Sequence, residues 1–149
     1  MSVLDFQGWY ARRIVLPGDD VLICYYYRNH CKEVSLHDEN HNIFRLDPSN
    51  KVIWQVRRDD RGKLINWESM HRHARERGQD GARWPFMEFV LKRPDGSTNL
   101  DAMTGCPPEV AIWEPGDVIW LRGSAYQDYE LDPESGIALN VTEGRPRPW

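Results

Sequence analysis

Asn42-Ile-Phe-Arg-Leu-Asp-Pro-Ser-Asn-Lys-Val-Ile-Trp-Gln-Val56 is the stretch that decides the fold. Ile43, Phe44 and Leu46 make one apolar run, and Val52, Ile53, Trp54 and Val56 make a second, rich in β-branched and aromatic residues. Between them Asp47-Pro48-Ser49-Asn50 is turn chemistry. Proline presets φ, and asparagine tolerates a left-handed backbone. The stretch predicts a β-hairpin.

The pattern returns at Tyr129-Glu130-Leu131-Asp132-Pro133-Glu134-Ser135-Gly136-Ile137-Ala138-Leu139. A second echo links Pro17-Gly18-Asp19 to Pro115-Gly116-Asp117, each turn leading into an apolar strand. The copies are too few for a solenoid or a full propeller. They predict a mainly β domain, an antiparallel meander or partly open barrel of about seven to ten short strands. Strands are expected at 9–16, 21–27 (covered on both faces), 86–92, 110–113 and 118–122, the last two as another hairpin around Pro115-Gly116-Asp117. Val34 and Leu36 allow a short strand inside 29–40.

Residues 57–83 break the β pattern. Asn66 suits a helix N-cap, Glu68 a first turn and Gly78 an end, which predicts one short helix near 66–77. Trp67, Met70 and Ala74 then share its packed side, and Arg72, Arg75 and Arg77 the other. The chain reads as one domain over 1–149, with 57–83 as a helix or loop insertion and 142–149 as a tail.

The net charge is −4, yet it is split. Residues 57–83 carry eight Lys/Arg against five Asp/Glu, whereas 84–149 carry five against eleven. Between Asp101 and Glu134 eight acids face Arg122 alone. Such polarity steers association with a charged partner, although a plain solvated face accounts for the same residues. Asp128, Glu130 and Asp132 alternate with Tyr129 and Leu131, which sets them in a row on one side of a strand. Seven Trp, six Tyr and four Phe supply material for a core and for a contact surface.

Three cysteines, Cys24, Cys31 and Cys106, show no paired spacing. The polar N-terminus lacks a signal-peptide core, and no apolar run reaches membrane-spanning length, so a reduced, cytoplasmic location is expected. His71 and His73 would chelate a metal from a strand, but on a helix they diverge. His30, Cys31, Cys24 and His37 match no standard zinc spacing. Ser124 lacks a nucleophile elbow, no phosphate loop or dinucleotide fingerprint is present, and Glu109 with Glu114 is a carboxylate pair by number alone. No cofactor, metal or catalytic residue is therefore assigned.

The run Ile43 to Pro48 followed by Val52-Ile53-Trp54-Gln55 resembles the strand-turn-strand repeat of quinoprotein-like β-propellers. It also resembles hairpins of small bacterial immunity proteins from polymorphic toxin and contact-dependent inhibition systems. The likeness covers 42–56 and 110–141 and transfers no catalytic residue. The second resemblance implies a non-enzymatic cytoplasmic antitoxin that binds and neutralises a toxin domain, with no membrane. Many such toxins are nucleases with basic grooves, where an acidic face can take the place of phosphates. The expected contact residues are Asp117, Asp128, Glu130, Asp132 and Glu134, with Trp113, Trp120 and Tyr126 as aromatic anchors. Two other readings stand beside it. One is a β-domain that binds nucleic acid or a small ligand through 57–83, and the other is a metal-dependent enzyme.

Overall fold

A computed structural model of the chain describes residues 10–26, 34–63, 65–123 and 126–143. The first hairpin pairs β1 (Tyr10–Val15) with β2 (Val21–Tyr26) around the left-handed Gly18 and Asp19. A short helix, α1 (Leu36–Asn40), leads into β3 (Ile43–Leu46) and β4 (Val52–Gln55), the hairpin foreseen at 42–56. Then come β5 (Arg57–Asp59), α2 (Trp67–Glu76) and β6 (Phe86–Lys92). After it come β7 (Val110–Ile112), β8 (Val118–Gly123), β9 (Asp128–Leu131) and β10 (Ile137–Asn140).

The molecule is mainly β, with ten strands in two five-stranded sheets and two short helices among the described residues. Sheet A runs β4-β3-β2-β1-β7 and sheet B runs β5-β10-β9-β8-β6. The inner faces meet in one core. Ile14, Leu22, Cys24 and Ile43 come from sheet A, and Phe86, Phe89, Leu91, Ile119, Leu121, Tyr129 and Ala138 from sheet B. Two facing sheets are a standard way to bury the apolar side of each. Both faces of β2 are buried, as its unbroken apolar run predicts. Leu22 and Cys24 point into the core, while Ile23 and Tyr25 form a second cluster with Phe44 and Leu46.

The layout departs from an antiparallel meander in two pairings. β7 runs parallel to β1, and β5 runs parallel to β10. Neither sheet closes into a barrel. The expected hairpin of 110–113 with 118–122 does not form, because β7 belongs to sheet A and β8 to sheet B. The reason lies in the turn. At 16–20 two successive left-handed residues, Gly18 (φ 86°) and Asp19 (φ 71°), send the chain straight back. At 114–117 only Gly116 (φ 94°) is left-handed. Asp117 turns inward, accepts from the Glu114 amide at 2.9 Å and pairs with Arg93, so the chain swings across to the other sheet.

The proposed short strand at Val34 and Leu36 is instead part of α1 and its lead-in. Ser35 caps that helix by accepting from the Asp38 amide at 3.1 Å, and Asp38 and Glu39 sit in the first turn. The helix expected at 66–77 forms as α2, capped by the Asn66 side chain on the Ser69 amide at 2.9 Å, with Ala74 buried. Segment 57–83 is only partly an excursion, since it opens on β5. Residues 144–149 of the expected tail, together with Trp9, His30, Cys31 and Ser124, lie outside the described residues.

Two polar side chains lock the sheets together. Asn42, wholly buried, donates to the Tyr25 and Phe86 carbonyls at 2.7 and 3.0 Å and accepts from the Phe86 amide at 2.9 Å. Arg45 pairs with Asp20 at 2.7 Å and donates to the Pro133 carbonyl at 2.8 Å, reaching from β3 to the β9–β10 turn. Trp54 lies opposite Arg45 in the β3–β4 register, and its indole N–H donates to the same carbonyl at 2.9 Å.

Candidate binding face

The strand period divides sheet B into two faces. Inward go Arg58, Ala138, Asn140, Tyr129, Leu131, Ile119 and Leu121. Outward go Asp59, Leu139, Asp128, Glu130, Val118, Trp120 and Arg122. Register sets Leu139, Glu130, Trp120 and Val90 in one line across β10, β9, β8 and β6. The outer face is open to solvent: Leu139 is 46% exposed and Val118 38%. A shallow trough of about 440 Å³ runs along it, walled by Asp59, Arg61, Val118, Glu130, Asp132 and Leu139.

The charges on this face are unevenly matched. Arg122 donates to Asp128 at 2.9 Å, and that hydrogen bond raises the Arg122 pKa. Arg61 grips Asp59 through contacts of 2.8 to 3.2 Å, which lowers the Asp59 pKa. Glu130 stands exposed between Leu139 and Trp120, with no ion pair among the described residues. Asp132 is exposed in the β9–β10 turn, where it accepts from the Glu134 amide at 3.0 Å and the Ser135 hydroxyl at 2.8 Å. Glu134 projects into solvent and reaches Arg45 only at 3.8 Å. The acidic row expected at 128, 130 and 132 therefore runs along the central strand of a face that also carries exposed aliphatic side chains.

Of the other expected contact residues, Trp120 shares this outer face and Asp117 borders the trough. The Asp117 carboxylate is buried and engaged by Arg93 and the Glu114 amide, so it shapes its own turn. Trp113 packs against the core, and its indole N–H donates to the Asp117 carbonyl at 3.1 Å. Trp120 is half-buried on the outer face, with Lys92 4.8 Å and Arg122 4.9 Å from its ring centre. Tyr126 is 82% exposed in the β8–β9 turn. Leu139 and Val118 were not singled out from the sequence. Their alternation with Ala138 and Ile119 carried the signal, but outward aliphatics look like core until strand pairing is known.

A polar network also escaped the sequence reading. Asp60 accepts from the Tyr129 hydroxyl at 2.7 Å, the Asn140 amide at 2.7 Å and the Trp67 indole at 2.6 Å. Arg58 lies 4.0 Å from the Phe86 ring centre and donates to the Asn40 and Trp84 carbonyls at 2.5 and 2.6 Å. Burial pulls the Arg58 pKa down to about 10 and, with the bond to Asp60, pushes the Tyr129 phenol up. The network moors α2 to the sandwich. Trp67 and Trp84 meet with ring centres 4.4 Å apart and their planes tilted by 31°. Arg72, Arg75 and Arg77 are exposed on α2. His71 accepts from the Ala82 amide at 3.2 Å, while His73 is exposed, and no metal-binding cluster occurs among the described residues. No described helix is long and apolar enough to cross a membrane.

Comparison of the chain with protein-family models, with curated proteins and with solved structures finds no match.

Proposed function

We propose that this chain is a binding protein of the bacterial immunity type, which neutralises a toxin domain by laying the outer face of sheet B over the toxin's working surface. The observation that carries the reading is the line Leu139, Glu130, Trp120 across the outer face, with Leu139 and Glu130 exposed, Asp128 near Glu130 on β9 and Asp132 in the turn that follows. Interfaces that bind specifically combine apolar contact area with charge that complements the partner. Exposed aliphatics supply the first here, and Glu130 and Asp132, which have no ion pair among the described residues, supply the second. The complementary surface is basic, as in a nuclease groove. The reading places the protein in the cytoplasm, where the toxin acts.

Capture from the native lysate with the tagged protein tests this, alongside the double variant Glu130→Lys, Glu134→Lys. Both positions are exposed, so the variant should keep its Tm and far-UV spectrum. The wild type should retain a stoichiometric toxin-like fragment at moderate salt and suppress its toxicity on co-expression, and the variant should lose both. Unchanged capture with unchanged salt dependence would overturn the reading.

A further inference from the structure

A concave site with an apolar floor lies beside that face. β6, the 98–107 loop and the ends of β1 and β2 enclose a cavity of about 300 Å³, at the small end of ligand pockets, which run ~300–1,000 Å³. Phe89, Val90, Leu100 and Trp120 give it an apolar lining. Two cations stand in its wall. Lys92 sits over the Trp120 ring at 4.8 Å, and Arg12 sits over the Tyr26 ring at 5.9 Å. One Arg12 N–H is bound to the Pro107 carbonyl, which fixes the guanidinium beside the loop, and an arginine fork carries five N–H donors. The acid in the wall, Glu88, lies opposite Arg122 in the β6–β8 register. Cys106 lines the same cavity and is exposed.

An apolar cavity with a fixed guanidinium and an ammonium at its wall fits one chemical class. We infer that this cleft binds a small amphipathic carboxylate, a flat apolar body whose carboxylate meets Arg12 and Lys92. In a protein of net charge −4 the bulk surface repels such a ligand, so the two cations must supply the attraction locally. The site is distinct from the proposed docking face, although Trp120 borders both.

The test uses 2-naphthoate and its neutral counterpart 2-naphthylmethanol, with binding measured by calorimetry. Alkylation of Cys106 by iodoacetamide, followed by peptide mass spectrometry, reports where the probe sits. Cys24 is a built-in silent thiol, because burial pushes its pKa up to about 12. Naphthoate should slow Cys106 alkylation and bind about tenfold more tightly than the alcohol, equivalent to ~1.4 kcal/mol. Lys92→Glu, at an exposed position, should remove that preference without lowering Tm. Equal binding of acid and alcohol, binding without protection of Cys106, or no binding at millimolar probe would each overturn the inference.

Discussion

The two hairpins share a Leu-Asp-Pro run and have opposite tolerances. In β3–β4 the turn closes from the Asp47 amide to the Lys51 carbonyl at 2.9 Å, and its left-handed residue is Asn50, φ 68°. In β9–β10 the closure runs from Asp132 to Ile137 at 3.0 Å, one residue longer, and the left-handed residue is Gly136, φ 76°. The first turn is solvated and asks only for a residue that accepts positive φ. The second is pressed against its sister: a Cβ on Gly136 would lie 2.5 Å from the Trp54 ring. Meanwhile the Pro133 carbonyl of that turn accepts from both Trp54 and Arg45. One repeat serves as the seat and the other as the plug, and that contact, more than the turn motif itself, fixes which residue each can carry.

The largest expected effect is on the plug. Gly136→Ala combines left-handed strain with overpacking on Trp54 and should cost about 3 kcal/mol in chemical denaturation. Asn50→Ala bears only the backbone strain, ~1 kcal/mol. Equal losses would dissolve the distinction. Next come the two donors to Pro133. Trp54→Phe and Arg45→Met should each cost ~1–3 kcal/mol, and the double variant should cost less than their sum because they share one acceptor.

A smaller effect depends on pH. His41, which precedes β3, stacks on His37 at 4.1 Å, and burial lowers its pKa. His71 is lowered for the same first reason. Each therefore favours its neutral form in the fold. The stabilisation they give is complete above the unfolded value of ~6.5 and is lost as pH falls through the lower folded values. Denaturation midpoints should drop across that acid window, and His41→Gln with His71→Gln should flatten the drop. Glu134→Gln should change stability least, by under about 0.5 kcal/mol, since its contact with Arg45 is long and solvated.

Period and punctuation made both Leu-Asp-Pro hairpins, α2 and the other strands except β5 legible, because each rests on neighbours in sequence. The outward setting of Asp128 and Glu130 followed from alternation with Tyr129 and Leu131 in the same way. Sheet membership did not, since Pro115-Gly116-Asp117 looks like a hairpin turn until Arg93, 24 residues away, claims the Asp117 carboxylate. For the same reason Asp117 reads as surface but is interior. The α1 helix was readable from Ser35 and Asp38, a capping pair that two apolar residues, Val34 and Leu36, obscured.

Val56 alone separates β4 in sheet A from β5 in sheet B. It is 1% exposed, its amide donates to Ile43 in one sheet at 2.9 Å, and the next amide, of Arg57, donates to Gly136 at 3.0 Å. During synthesis this one-residue hinge has a timing consequence. Sheet A holds four of its strands once residue 55 has emerged, but β5 waits for β10, about eighty residues later, before it has a partner. The edge of a nascent β5 is thus held beside a finished hairpin and cannot be completed until residues 137–140 arrive. A ribosome-stalled chain ending before them should show sheet A protected from proteolysis and the segment after Val56 cut.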